Sequence, residues 1–286
     1  MSPFRAGLSH PSRRALLAVA ALVAAGVTVP AAAPARAQAA PGPAHRAPAQ
    51  DPGRSAQPGS PQWALRRLLA GNRRFVRDRA RHPRQSVGHL REVADGQHPS
   101  AVILGCADSR VAPEILFDQG IGDLFDNRVA GNVADDLLVG SIEYAVVECG
   151  SPLVVVLGHE RCGAVTATID AIRYGGHAPG RIGDIIEALR PVVEPVLDDP
   201  GDPVDNAVRA NILAQTRALH RSAVLRDRIA TGQLRLVPAH VDLDTGRVTL
   251  LDGGSDPTPD LTPDPASRPA SDHAPGCPAG VRVPPR

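Results

Sequence analysis

The chain contains no lysine. All 31 of its basic side chains are arginine, set against 30 acidic ones, and the formal net charge is +1. A near-neutral chain is not a general nucleic-acid binder, although a local basic patch stays open. Aromatic residues make up only 2%, which argues against a base-stacking surface. Four cysteines in 286 residues cannot staple a disulfide scaffold. No Gly-x-Gly-x-x-Gly follows a strand-like run, so a dinucleotide fold lacks its fingerprint. No internal repeat is visible. What is present is a 43% share of hydrophobic residues, enough for a sizeable core and too much for wholesale disorder.

The 29 prolines crowd towards the ends. Residues 1–37 read as an export signal: Arg5, Arg13 and Arg14 precede an apolar run from Ala15 to Val29, and Ala35-Arg36-Ala37 offers a cleavage site. Ser12-Arg13-Arg14-Ala15-Leu16-Leu17 resembles a twin-arginine signal. The run is short for a membrane span of ~20 residues, and an uncleaved anchor is the alternative. Residues 38–60 read as a flexible linker rich in Pro, Ala, Gly and Gln. Residues 253–286 hold nine prolines and few large apolar side chains, so they cannot offset their ordering entropy. Cys277 in that tail reads as an exposed thiol. The expected folded part is one domain, 61–252.

Within it, Trp63, Leu65, Leu68, Leu69, Phe75 and Val76 fit a helical stripe. Nine arginines between 61 and 91 face one acid, Asp78. They form either a polyanion patch or, more simply, a solvated or partner-contacting face. Ala101–Leu104 and Leu153–Leu157 are continuous apolar runs, as expected of strands buried on both faces. Leu138, Ile142, Ala145 and Val146 recur between them at helical spacing, and Leu124 to Ala130 suits a further strand. Strand–helix–strand alternation predicts an α/β fold with a mostly parallel sheet flanked by helices. Helices are expected near 163–173, 182–198 and 203–230, with Pro191 and Pro195 interrupting or kinking the second. Val237 and Arg247 to Leu251, separated by Asp244-Thr245-Gly246, predict a closing hairpin.

Both buried runs end in reactive residues: Gly105-Cys106-Ala107-Asp108-Ser109-Arg110 and Gly158-His159-Glu160-Arg161-Cys162-Gly163. Ligands of parallel sheets bind beyond the carboxyl ends of strands, so the two clusters are expected to share one site. Cys106, His159 and Cys162 supply two thiolates and an imidazole, a set suited to zinc, and three ligands leave a fourth position for catalysis. Asp108 could fill that position or hydrogen-bond a water there, and Arg110 is placed to pair with Asp108. A Cys106–Cys162 disulfide and a purely structural zinc site are the competing readings. Cys149 reads as an ordinary core thiol.

Those two motifs resemble the β-class carbonic anhydrases. The likeness extends through Gly71-Asn72-Arg73-Arg74-Phe75, Gly96-Gln97-His98-Pro99, Gly122-Asp123-Leu124-Phe125, Arg128-Val129-Ala130-Gly131-Asn132 and Ser141-Ile142-Glu143-Tyr144-Ala145-Val146. The resemblance implies a parallel sheet with an antiparallel edge strand, and a homodimer or larger homo-oligomer whose N-terminal helices reach over the partner. It implies one zinc per subunit on Cys106, His159 and Cys162, and an Asp108–Arg110 dyad beside it. Gln97, Phe125, Val129 and Tyr144 would line the pocket for carbon dioxide and bicarbonate. The implied reaction is reversible hydration of carbon dioxide to bicarbonate and a proton by zinc-bound hydroxide. No nucleic acid is expected as a partner.

Two departures stand out. Family subtypes that close the site place a tryptophan three positions before the first cysteine and a tyrosine near the C-terminal strand. Here Ile103 holds the first position, and Pro238-Ala239-His240-Val241-Asp242 lacks the tyrosine, so an open site is expected. Asp126-Asn127 stands where the family usually has two apolar residues, which is expected to loosen that strand. Hydrolysis of carbonyl sulfide or carbon disulfide is a second enzymatic reading. A dead zinc- or bicarbonate-binding module is a third, and the intact Asp108 and Arg110 argue against it. Export by the twin-arginine route would let zinc load before the thiols meet an oxidising compartment.

Overall fold

The computed structural model describes residues 57–176 and 178–252. The expected export signal, the linker up to residue 56, Cys277 and the C-terminal tail lie outside them. The first helix, α1 (Pro61–Val76), is started by Ser60, whose hydroxyl accepts from the Trp63 N–H at 3.2 Å, and by Pro61 in the first turn. Its apolar stripe is buried at Ala64, Leu65, Leu68 and Leu69. The arginines beside the stripe are partly spent within the fold. Arg74 Nε lies 2.6 Å from Asp118 Oδ2, Arg67 Nη2 lies 2.6 Å from Asp123 Oδ1, and Arg84 pairs with the other oxygen of Asp123. The acids that balance the segment come from the loop at 118–123, far along the chain.

After α2 (Val87–Glu92), five strands build one sheet: β1 (Ala101–Gly105), β2 (Leu124–Arg128), β3 (Leu153–His159), β4 (Arg235–Val241) and β5 (Val248–Leu250). Their order is β2-β1-β3-β4-β5. The first four are parallel and β5 runs antiparallel to β4 at the edge, as the hairpin pattern predicts. Every residue of β1 and β3 is buried, and each fully buried aliphatic side chain contributes about 1.5–3 kcal/mol. The strand β2 pairs without a break from Ala101↔Leu124 to Gly105↔Arg128, so Asp126 and Asn127 leave the register intact. Backbone ladder bonds do not depend on side-chain polarity.

The helices are α3 (Pro113–Leu116), α4 (Asp136–Val147), α5 (Gly163–Tyr174), α6 (Ile182–Val193), α7 (Pro203–His220) and α8 (Ala223–Ala230). Against β1 and β2 packs α4, and against β3 and β4 packs α7. The helix α6 runs through Pro191, because that residue sits exposed in the last turn and forfeits a bond only to Glu187, which water can serve. It ends at Val193, and Pro195 lies in a 3-10 turn, Glu194–Val196. The long helix expected over 203–230 is two. Ser222 breaks it by capping α8, its hydroxyl accepting from the Leu225 N–H at 3.2 Å and donating to Glu143 at 2.6 Å. Cys149 is buried just beyond α4.

The chain leaves β1 towards β2 on one side and returns to β3 on the other. That reversal sets the carboxyl ends of β1 and β3 side by side, with Gly105 paired to Leu157. A crevice at such a reversal is where open α/β sheets bind ligands.

Candidate functional site

The residue after β1 is Cys106, the last residue of β3 is His159, and Cys162 caps α5 three residues on. All three are buried, at 5%, 1% and 3% exposure. The ligand atoms Sγ, imidazole N and Sγ lie within 4.8 Å of one another. A disulfide is absent: Cys106 and Cys162 are both free thiols.

Backbone donors prepare this cage for negative sulfur. The Gly131 N–H points at Cys106 Sγ from 3.4 Å, and the amides of Ala164 and Val165, at the start of α5, favour negative charge on Cys162. The two thiols share a hydrogen bond. It pulls Cys106 down to about 4 and, with burial, pushes Cys162 up. The pair thus holds one thiolate and one thiol when no cation replaces the proton.

His159 supplies the most direct test of fit to a metal. Its Nδ1 donates to the Glu160 carbonyl at 2.8 Å, which leaves Nε2 as the lone-pair nitrogen. Nε2 is buried with no conventional hydrogen-bond acceptor in place, and the Cys106 sulfur is the group beside it that favours a proton there. A cation between this nitrogen and two sulfurs would take the place of the protons that the three groups otherwise share. Two thiolates and an imidazole suit a borderline-soft divalent ion.

Asp108 stands at the rim. Its Oδ2 is 3.9 Å from His159 Nε2. Arg110 holds it with a two-pronged grip, Nε to Oδ1 at 2.9 Å and Nη2 to Oδ2 at 2.6 Å, while the Arg110 amide donates to Oδ1 at 2.9 Å. These bonds keep the Asp108 carboxyl well below the usual carboxylate range. Arg110 is itself anchored on the Arg161 carbonyl at 3.2 Å, which ties the β1 turn to the β3 turn.

Of the expected pocket residues, Phe125 on β2 and Tyr144 on α4 meet with ring centroids 6.2 Å apart. Val129 exchanges backbone hydrogen bonds with Gly105 and Ala107, both at 3.2 Å. Gln97 lies half-buried in the segment ahead of β1.

Several supports escape sequence reasoning. Arg128 Nε donates to the Cys106 carbonyl at 2.9 Å and Nη2 to the Asp108 carbonyl at 2.6 Å, fixing the turn that carries both. Asn211 on α7 donates to the Gly131 carbonyl at 2.8 Å and to Asn132 Oδ1 at 3.1 Å. Gln215 donates to Asn211 Oδ1 at 2.8 Å. This amide chain fixes Gly131, whose φ of +77° suits glycine, and so aims its N–H at Cys106. Arg128 and Gly131 stand inside a motif that carries the family likeness, but nothing in their spacing states these partners. A second cluster, Glu160, Asp242 and Asp244, is already engaged by Arg161 and by turn amides.

Comparison with known proteins agrees with this geometry. Residues 101–248 match a family model described as carbonic anhydrase. The chain is 46% identical over 194 residues to carbonic anhydrase 2 of Mycobacterium tuberculosis, covering 68% of this chain and 94% of that protein. Among solved structures it resembles the β-carbonic anhydrase of Coccomyxa, with TM-score 0.52, 29% identity, and 64% of this chain and 84% of that one covered. It also shares the fold of a tetrameric β-carbonic anhydrase from Sordaria macrospora, with TM-score 0.54, 23% identity, and 68% and 98% covered.

Proposed function

The chain belongs to the β-class carbonic anhydrases, whose general activity is hydration of carbon dioxide, and we propose that it works with one zinc ion held by Cys106, His159 and Cys162. The observation that carries the zinc reading is the convergence of the buried His159 imidazole and two thiol sulfurs, their ligand atoms within 4.8 Å of one another. A zinc ion held there would supply the Lewis acidity that ionises water near neutral pH.

The chain's own residues do the rest. Asp108, held ionised by Arg110, accepts a hydrogen bond from the attacking oxygen and turns a lone pair towards carbon dioxide. Both carboxylate oxygens of Asp108 are engaged by Arg110, a grip that would hold the carboxylate away from a metal and so supports an open site. Phe125, Val129, Tyr144 and Gln97 would form the pocket wall, an apolar surface with one amide. Carbon dioxide carries no charge and little polarity, so such a wall admits it without a desolvation penalty.

The same reading includes a homo-oligomer and export. Leu137 is 85% exposed, and Val87, Leu90 and Ile115 are 64%, 50% and 56% exposed. These side chains on α2, α3 and α4 support self-association by offering apolar surface. Export rests on residues 1–37 alone.

The test is stopped-flow hydration of carbon dioxide by zinc-loaded protein, with Cys106→Ser as control. Fast hydration lost in the variant together with the zinc bears the reading out. Zinc bound at pH 8 without hydration would overturn it.

A further inference from the structure

Two consecutive side chains between His159 and Cys162 take hold of the turn that joins β4 to β5. Glu160 Oε2 accepts from the Leu243 N–H at 3.0 Å, and Arg161 Nη2 donates to Asp244 Oδ1 at 2.7 Å. The Glu160 amide also donates to the Val241 carbonyl at 3.0 Å. The turn they meet is itself fixed. Asp242 Oδ1 accepts from the amides of Asp244 and Thr245 at 2.8 and 2.9 Å. From α1, Asn72 donates to the Gly246 carbonyl at 2.9 Å and accepts from the Val248 N–H at 3.0 Å. Asp244 is thus presented to Arg161 from a braced hairpin.

Arg161 has a φ of +52°, a left-handed backbone that strains a residue with a Cβ. Its carbonyl accepts from Arg110 Nη2 at 3.2 Å, and the same nitrogen donates to Asp108 Oδ2 at 2.6 Å. One guanidinium nitrogen therefore lies between the Asp108 carboxylate and the Arg161 carbonyl. The direction of that carbonyl follows from the backbone dihedrals of Arg161, whose side chain is tethered to Asp244. We propose that Asp244 is a positioning residue: it holds Arg161, whose carbonyl anchors the guanidinium with which Arg110 aims Asp108.

Exposure decides what this tether does. The side chains of Arg161 and Asp244 are 55% and 76% exposed. An ion pair so open to water adds little to global stability and weakens in salt. Its effect is on orientation. Without Asp244, Arg161 keeps a strained backbone with one contact fewer to hold it there. Its carbonyl can then drift from Arg110, and the carboxylate that Arg110 grips moves with it. The rest of the loop stays in place, because His159 Nδ1 still donates to the Glu160 carbonyl and Glu160 still holds Leu243. A displaced carboxylate lowers turnover even where the fold is intact. The inference rests on the proposed role of Asp108 only for its effect on hydration.

The test uses the full chain, its Asp244→Asn and Arg161→Asn variants, and the double variant. Asparagine tolerates the left-handed backbone, so Arg161→Asn removes the tether without adding strain. The first readout is the Arg110 Nε–H resonance in proton–nitrogen NMR spectra, identified by its absence from Arg110→Lys. Each variant should move it towards the position of solvent-exposed arginines and speed its exchange with water several-fold. The second is kcat/KM, expected to fall about 3- to 10-fold in each single variant, less than a change at Arg110 itself causes. The double variant should lose no more than either single one, because both remove the same tether. Melting temperature should stay within about 2 °C of the parent. An unmoved Arg110 resonance, or additive losses in the double variant, would overturn the proposal. The NMR readout needs neither zinc nor turnover, so failure to hydrate carbon dioxide would sink the proposed function and leave this result standing.

Discussion

Arg110 holds Asp108 by two parallel hydrogen bonds, 2.9 Å from Nε to Oδ1 and 2.6 Å from Nη2 to Oδ2. The fork fixes the plane of the carboxylate as well as its charge. Lysine supplies a point charge and no fork. Arg110→Lys is therefore expected to keep its zinc and lower kcat/KM by about 10- to 100-fold, the scale of a small misplacement of a catalytic group. Metal analysis beside stopped-flow kinetics checks it. A variant within twofold of the parent would show that charge alone suffices.

The Asn211 side chain is buried and bonded at both ends. Asn211→Leu strips Gly131 and Asn132 of a donor and leaves Gln215 Nε2 without its acceptor. Leaving buried polar groups unpaired costs about 1–3 kcal/mol each. The variant is expected to melt several degrees lower and to lose zinc to a chelator faster, because the Gly131 N–H no longer aims at Cys106. Unchanged zinc release at matched stability would remove the link between α7 and the metal turn.

Gly158 faces α7 so closely that a Cβ would lie 2.5 Å from Ile212 Cδ1 and Cγ1 and 3.3 Å from Val208 Cγ1. Ile212 is fully buried and cannot swing into solvent. Gly158→Ala is expected to cost about 1–3 kcal/mol by overpacking. Adding Ile212→Val removes the clashing methyl and should recover part of that loss in a double-mutant cycle. Strict additivity of the two substitutions in thermal or urea unfolding would contradict the close approach.

Asp126 gives the pH dependence its sign. Its carboxyl is raised to about 7 in the fold from an ordinary value of 3.8. Between those values the folded chain binds a proton that the unfolded chain has released. The stability linked to this group is fully present below the ordinary value, falls as pH rises, and is gone above about 7. Asp126→Asn cannot titrate. Relative to the parent it should gain melting temperature as pH rises from about 4 to about 7, and the gain should level off beyond. A difference that stays flat across that range would mean that Asp126 is ionised in the folded protein.

The chemistry of this protein is local in its sequence. The apolar runs at 101–104 and 153–157 specify strands buried on both faces, and each is followed within a few residues by members of the Cys106, His159 and Cys162 cluster. A zinc-type donor set and a paired Asp108–Arg110 can be read from a dozen positions. Element boundaries follow the same logic where a capping residue marks them, as at Ser60. They fail where the marker is subtle, as at Ser222 inside an unbroken helical pattern and at Pro191 in an exposed last turn.

Tertiary structure decided what lies between distant positions. Arg67 and Arg84 converge on Asp123, Asn211 supports Gly131 from 80 residues away, and Arg128 clamps the turn after β1 from the end of β2. Periodicity and residue type report which face a side chain takes, because those depend on neighbours three or four positions off. They carry no information about which buried donor meets which acceptor, because strand order and helix placement set that pairing. The sequence determined the donor set of Cys106, His159 and Cys162, the cage of the proposed zinc site. Only the packing of α7, α3 and β2 around it decided how firmly the cage is held.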